Sequence, residues 1–226
     1  MTEEAPTATK RRHASGAATR VLLLETAERL FAQRGIGSVT MRDIQVAAGQ
    51  ANASVVSYHF GSTTGLVQAL IAYRRPVLEA ERQTAIAALE AAVAERPSGQ
   101  ATAFELVELV VAPMVSSIER GEMYVPFLAR LNEDPKSRAT YWPTDVGSDL
   151  GSEVTEQLVE VLLRNLPVRA RRARAHQFFT SVLHVLADHG RNGARLSSAR
   201  LASYVDGWAG MLTAPASPRT QALLEE

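Results

Sequence analysis

Residues 39–60, VTMRDIQVAAGQANASVVSYHF, hold two short helical patterns split by a glycine turn. Thr40 stands where a helix wants a cap, Asp43 three residues on can reach back as in a capping box, and Val39 can staple onto Ile44. That helix closes at Ala48-Gly49. Gln50 to Asn52 read as a turn, and a second short segment, Ala53 to Phe60, follows with Asn52 as its expected cap. Segments this short are not stable alone, so each needs a scaffold. One lies upstream: between Thr19 and Gln33 the residues Leu23, Ala27, Leu30 and Phe31 fall on one face of a helix that Gly35 ends. An amphipathic helix followed by two short helices around a glycine turn is a helix-turn-helix arrangement.

In such a unit the second short helix enters the DNA major groove while the first crosses the backbone. The expected DNA-facing set is Thr40 and Arg42 on the first helix, Ala51, Asn52, Ala53 and Ser54 at the turn, Ser57, Tyr58 and His59 on the second, and Thr63 beyond it. Asn52, Ser54 and Ser57 carry hydrogen-bonding groups for base edges or phosphates, and Tyr58 and His59 can reach phosphates. Val55 suits a thymine methyl or the core. Val56 and Phe60 are four apart, on one face, and belong to the core.

Charge points the same way. Lys plus Arg and Asp plus Glu both number 24, yet residues 10–75 hold nine basic side chains against three acidic ones. A basic N-terminal head suits a polyanion. Lys10, Arg11 and Arg12 fall in a stretch, residues 1–16, expected as a flexible arm; they read either as phosphate contacts that release counterions or as an idle solvated tail. With 46% apolar and 21% charged residues, disorder is excluded for most of the chain. Cysteine is absent, which excludes disulfides, thiolate nucleophiles and Cys-ligated metals and fits a cytoplasmic setting. Apolar runs such as Leu109 to Val115 are far short of the roughly 20 residues that span a bilayer. No apolar stretch follows Met1 as a secretory signal would require.

Downstream the helical period persists. A long pattern from Thr63 to Ala94 contains Pro76, expected to kink it, and Thr102 to Glu119 contains Pro113, a second expected kink. Met123 to Glu133 follows, then an irregular stretch from Asp134 to Gly151, then Glu153 to Asn165, Val168 to His189 behind Pro167, and Ser197 to Met211. Nothing alternates with period two for long. The expectation is an all-α fold of about nine helices. Its divisions are an arm (1–16), a helix-turn-helix unit (17–62), a larger helical unit (63–214) and a tail (215–226).

Thr19-Arg20, Leu30-Phe31-Ala32 with Gly35, Thr40-Met41-Arg42-Asp43-Ile44, Ala48-Gly49 and Tyr58-His59-Phe60 with Leu66 resemble the N-terminal domain of TetR-type (TetR/AcrR) transcriptional regulators, over about residues 17–70. Two features depart from that pattern. The turn from Gly49 to Tyr58 is one residue longer than usual, and Thr63 stands where most members carry a phosphate-holding lysine. A hydroxyl and the helix-start amides can still bind phosphate there. The resemblance implies a homodimer, usually a repressor, whose larger C-terminal unit holds an inducer pocket and the dimer interface. Aromatic and Met side chains of the middle helices suit a small lipophilic inducer, with Tyr73, Phe104, Met114, Tyr124, Phe127, Trp142 and Phe178 as expected lining; plain core is the default for any one of them. The last two long helices carry wide apolar stripes, so Phe179, Leu183, Leu186, Tyr204 and Trp208 are the expected dimer interface. Arg169, Arg171, Arg172 and Arg174 read as a solvated charged run.

Other constellations carry less. His176 and His184 lie eight apart and His184 and His189 five apart, spacings that do not hold one metal, so all three read as core or surface. Asp145-x-Gly147-x-Asp149 with Glu153 and Glu156 imitates a calcium loop but puts Leu150 at the sharp-turn glycine position. Gly35-Ile36-Gly37 lacks the third glycine of a dinucleotide fingerprint. No metal, cofactor or catalytic constellation is expected. The reading is a DNA-binding regulator, a repressor that a small lipophilic ligand releases from a palindromic double-stranded operator. Activation on the same fold, or ligand binding beneath a vestigial head, remain open alternatives.

Overall fold

Leu23, Leu24, Ala27 and Phe31, all fully buried, place the apolar stripe of α1 (Ala8–Arg34) against the rest of the chain. The computed structural model describes residues 8–143, 159–193 and 195–225, and among them every regular element is helical. A single 3-10 turn (Ile36–Ser38) leads to α2 (Met41–Ala47) and α3 (Val55–Phe60), and then come α4 (Thr63–Ala94), α5 (Ala103–Glu119), α6 (Tyr124–Glu133) and α7 (Pro135–Tyr141). A helical stretch at 159–163 precedes α8 (Val168–Asn192), α9 (Ser198–Thr213) and α10 (Pro218–Glu225). The fold is all-α, as expected.

The middle of the molecule is α6. Tyr124, Val125, Pro126, Phe127, Leu128, Ala129 and Leu131 are all buried, a helix apolar on nearly every side. It packs on α1 on one flank and on α8 on the other, while α5 lies against α4, α8 and α9. Phe31 of α1 and Phe127 of α6 stand 6.2 Å apart, so one continuous apolar core joins the helix-turn-helix unit to the larger helical unit.

Local chemistry accounts for most boundaries. Thr102 accepts from the Glu105 amide at 3.3 Å while Glu105 accepts from the Thr102 amide at 2.8 Å, a capping box that starts α5. Gly193, with φ +60, ends α8 in the left-handed conformation that glycine adopts without strain. The helix continues through both Pro76 and Pro113.

Three boundaries differ from expectation. α1 begins at Ala8, so part of the stretch expected as an arm is helical, consistent with its Ala, Lys and Arg content. α7 lies inside the stretch expected as irregular: the Asp134 carboxylate accepts from the Lys136 and Ser137 amides at 3.0 and 3.1 Å, and Pro135 takes the first helical position. α10 lies in the expected tail for the same reason, with Ser217 Oγ accepting from the Thr220 amide at 3.2 Å ahead of Pro218. The calcium-like run, Asp145 to Glu156, and the first six residues of the helix expected from Glu153 to Asn165 lie outside the described residues.

Candidate DNA interface and effector cavities

The turn between α2 and α3 is fixed by short-range bonds. Gly49 takes φ +64, its amide donates to the Val46 carbonyl at 3.0 Å, and the Gln45 side-chain amide donates to the Gln50 carbonyl. Asn52 Oδ1 then accepts from the Ser54 amide at 3.0 Å and from Ser54 Oγ at 2.8 Å. This is an Asx turn, not a helix cap, and it delays α3 to Val55, two residues after the expected start at Ala53. Ser54 occupies the cap position.

Val55, Val56 and Phe60 are buried, which gives Val55 to the core and turns the other side of α3 outward. Tyr58 is 83% exposed. Of the expected set, Thr40, Arg42, Ala51, Asn52, Ala53, Ser54, Ser57 and Tyr58 are exposed, and His59 and Thr63 are half-buried. Thr40 works as a cap: its hydroxyl donates to Asp43 Oδ2 at 2.7 Å and accepts from the Asp43 amide at 3.1 Å, and the bonds from the Thr40 hydroxyl and amide hold the Asp43 carboxyl below its ordinary range. Beside Thr63, Ser62 Oγ accepts from the Gly65 amide at 3.1 Å and caps α4. A Cβ on Gly65 would stand 2.2 Å from the Phe60 carbonyl oxygen, so α3 and α4 meet this closely because that residue is glycine. Two contributors escaped sequence reasoning. Gln45 locks the turn, and the Arg20 guanidinium lies 5.2 Å over the Phe60 ring, tying α1 to the end of α3.

A charged seam joins this head to the larger unit. Glu28 on α1, 2% exposed, accepts from Arg74 Nε at 2.6 Å, from Arg74 Nη2 at 3.2 Å and from the Met123 amide at 2.7 Å. Burial pushes its carboxyl above the ordinary range, against the downward pull of Arg74 and Met123. Arg74 Nη1 also donates to Glu122 Oε1 at 3.1 Å, and Glu122 accepts from Arg120 Nε at 3.0 Å and Ser117 Oγ at 2.7 Å. Burial raises the Glu122 carboxyl, yet the Arg120 and Ser117 bonds and the Arg74 charge together hold it below its usual value. Arg120 Nη1 reaches Glu81 Oε1 at 2.5 Å. Tyr73, expected in the pocket lining, joins this seam, its hydroxyl donating to Glu25 at 3.3 Å.

Two cavities lined by described residues lie in the larger unit. The smaller, about 320 Å³, is lined by apolar Met114, Leu128, Trp142, Phe179 and Leu183 interleaved with polar Asn132, Glu133, His176, Thr180 and His184. Of the expected lining it contains Met114 and Trp142. Tyr124 and Phe127, with rings 6.0 Å apart, are used between α1 and α8, Phe178 is fully buried, and Phe104 is 48% exposed on the first turn of α5. His176 and His184, expected as core or surface, face this cavity together. The larger, about 590 Å³, lies where α5 ends beside the end of α8. Among the described residues no group of three or more His, Cys, Asp or Glu side chains is placed to hold a metal.

The chain itself buries three of the five expected dimer residues. Phe179, Leu186 and Trp208 are buried within the chain, Leu183 lines the smaller cavity, and Tyr204 packs 5.7 Å from Trp208, whose Nε1 donates to Ser181 at 2.9 Å. The wide stripes of α8 and α9 are consumed by α5, α6 and each other. The face of α9 left exposed carries Ala199, Ala202, Ser203, Asp206, Gly207 and Gly210. In the expected solvated run, Arg171 donates to the Leu166 carbonyl at 3.0 Å, and Arg174 caps the end of α9 at the Met211 carbonyl at 2.5 Å.

An exposed helix on a helix-turn-helix scaffold, packed against a larger all-helical unit, is the arrangement of a DNA-binding regulator. Residues 23–70 match the model of the bacterial regulatory proteins of the tetR family, so the head is a TetR-type helix-turn-helix domain. No curated protein matches the chain. Among solved structures, the chain is similar to a gamma-butyrolactone receptor (ArpA-like protein), at 19% identity over 77% of this chain and 99% of that one, with a TM-score of 0.34.

Proposed function

We propose that this chain is a transcriptional repressor that binds a two-fold symmetric DNA operator as a homodimer and leaves it when a small amphiphilic molecule enters the cavity between Met114 and Trp142. One observation carries the DNA reading: Tyr58 stands 83% exposed on a helix whose other side is sealed by Val55, Val56 and Phe60. No packing demand within the chain explains a large aromatic there, whereas an aromatic hydroxyl beside Ser54 and Ser57 suits a phosphate and base edges. Dimerisation would use the exposed small-residue face of α9, because Val205, Trp208 and Leu212 of that helix are already buried. Release follows by linkage: a ligand lowers operator affinity by the difference in its affinity for the two spacings of the recognition helices.

The polar lining refines the inducer. His176, His184, Asn132 and Glu133 among Trp142 and Phe179 suit a molecule with an apolar body that also hydrogen-bonds, in place of a wholly lipophilic one. The test is selection of duplexes from a random pool by the purified protein, then binding of the winner at two salt concentrations. Enrichment of one symmetric site with a steep salt slope is expected. A folded dimer that enriches nothing would refute the DNA reading.

A further inference from the structure

Arg20 falls on the same face of α1 as Leu24, one turn earlier, and what it meets there is the last residue of α3. Its guanidinium carbon lies 5.2 Å over the Phe60 ring, which stands 5.9 Å from the ring of His59, itself 5.2 Å from that of the exposed Tyr58. A methionine would cover Phe60 as well and would keep the stripe apolar. An arginine brings five N–H donors instead, and among the described residues none of them meets a carboxylate or a carbonyl. Arg34 and Arg74 differ in this respect: the first bonds to the Ser38 carbonyl at 3.4 Å, and the second is spent on Glu28 and Glu122. Arg20 is exposed, so the ring beneath it restrains a guanidinium whose donors the fold does not use.

With six residues, α3 rises about 9 Å, less than the roughly 12 Å width of the major groove, so a group packed on its last ring stands where the groove meets its phosphate wall. A guanidinium offers the planar fork that suits a phosphate, and stacking on Phe60 leaves less freedom to lose on binding. We propose that Arg20 is a DNA-backbone contact, its guanidinium held on Phe60 and its N–H groups given to a phosphate beside the end of α3. Resting on the DNA reading above, this role adds a cation from α1, outside the two helices of the reading unit. It contributes affinity and register and no base preference.

The probe is a fluorescein-labelled duplex of mixed sequence, read by anisotropy with the full-length protein between about 50 and 200 mM salt. Each phosphate neutralised adds about 0.9 to the slope of log affinity against log salt, so Arg20→Met lowers that slope by about 0.9 for each subunit bound, or about 3.5-fold in affinity across this range. Arg20→Lys keeps the charge and restores the slope. Arg29→Met removes an exposed arginine further along the same helix and leaves the slope unchanged. Melts check that the variants fold, and the midpoint of Arg20→Met falls by no more than about 4 °C. A purely structural Arg20, there to cover Phe60, would move the melt and not the slope. Equal slopes in the parent and Arg20→Met therefore overturn the contact and leave the regulator standing, and so does a slope that Arg20→Lys fails to restore or that Arg29→Met lowers as much. A parent that binds no duplex at the lowest salt overturns the DNA reading and the contact together. A selection that enriches no site, with the slope difference intact, refutes the regulator and leaves Arg20 as a contact to DNA of any sequence.

Discussion

Replacing Arg74 by Met removes the guanidinium that satisfies Glu28 while leaving the carboxylate where it is. The two side chains are 12% and 3% exposed, so little water can take the arginine's place. Breaking a buried pair by deleting one partner costs about 3–5 kcal/mol, because an uncompensated charge remains inside. For a chain of this size, about 2–4 °C of midpoint accompanies each kcal/mol, so Arg74→Met lowers the unfolding midpoint by about 6–20 °C. The double variant Glu28→Met/Arg74→Met removes both charges at similar volume. It leaves the Met123 amide without its acceptor, a penalty of about 1–3 kcal/mol, and is therefore more stable than the single variant. Acid adds a signed check. The Glu28 carboxyl is raised in the fold, so as pH falls it takes its proton in the folded state before the unfolded one, which stabilises the fold. Arg74 pulls that carboxyl down, so its removal raises it further, and the penalty of Arg74→Met shrinks as pH falls. Far-UV circular dichroism melts at one fixed protein concentration read all three effects. A loss under about 2 °C in the single variant, or a double variant less stable than the single, refutes a seam that holds the head by paired burial.

Three further outcomes follow from the geometry. Tyr58→Ala weakens binding of the selected duplex by about 1–3 kcal/mol in fluorescence anisotropy, while the melt moves by no more than about 0.5 kcal/mol because the ring packs on little but His59. Gly65→Ala drives a Cβ toward the Phe60 carbonyl and costs about 1–3 kcal/mol, with faster amide exchange in α3 and weakened duplex binding. Bonds from the Arg96 guanidinium and from the Thr102 amide and hydroxyl hold the Glu105 carboxyl at about 2, so its contribution is complete above the ordinary glutamate value and is lost as pH falls through that lower value. Glu105→Gln therefore flattens the acid limb of a stability profile, and carboxyl NMR in Arg96→Met shows Glu105 titrating higher than in the parent.

How far the chain could be read before folding tracks how local each determinant is. The α2 cap was legible because Thr40 and Asp43 are three residues apart and complete each other. The start of α3 was misplaced because an Asn can cap a helix or close an Asx turn, and two bonds to Ser54 decided for the turn. Asp134-Pro135 and Ser217-Pro218 carried the start signals of α7 and α10, hidden in stretches whose polar composition looked like loop. Cavity lining was least legible. Aromatic content cannot separate a pocket wall from a core, and Tyr124 and Phe127 went to the core because α6 sits between α1 and α8.

Charge on an apolar face is the more discriminating mark. Glu28 lies four residues after Leu24 and three before Phe31, inside the stripe that buries α1, where an unpaired carboxylate is costly. The sequence alone therefore demands a partner for it without saying which. Arg74 becomes that partner only once α4 returns beside α1, and the Met123 amide only once α6 closes over both. The same logic reads the smaller cavity: Phe179 and Leu183 would be as content in a sealed core, whereas the imidazoles of His176 and His184 line its open space. A site is best sought where buried space meets polar groups that the fold itself does not need.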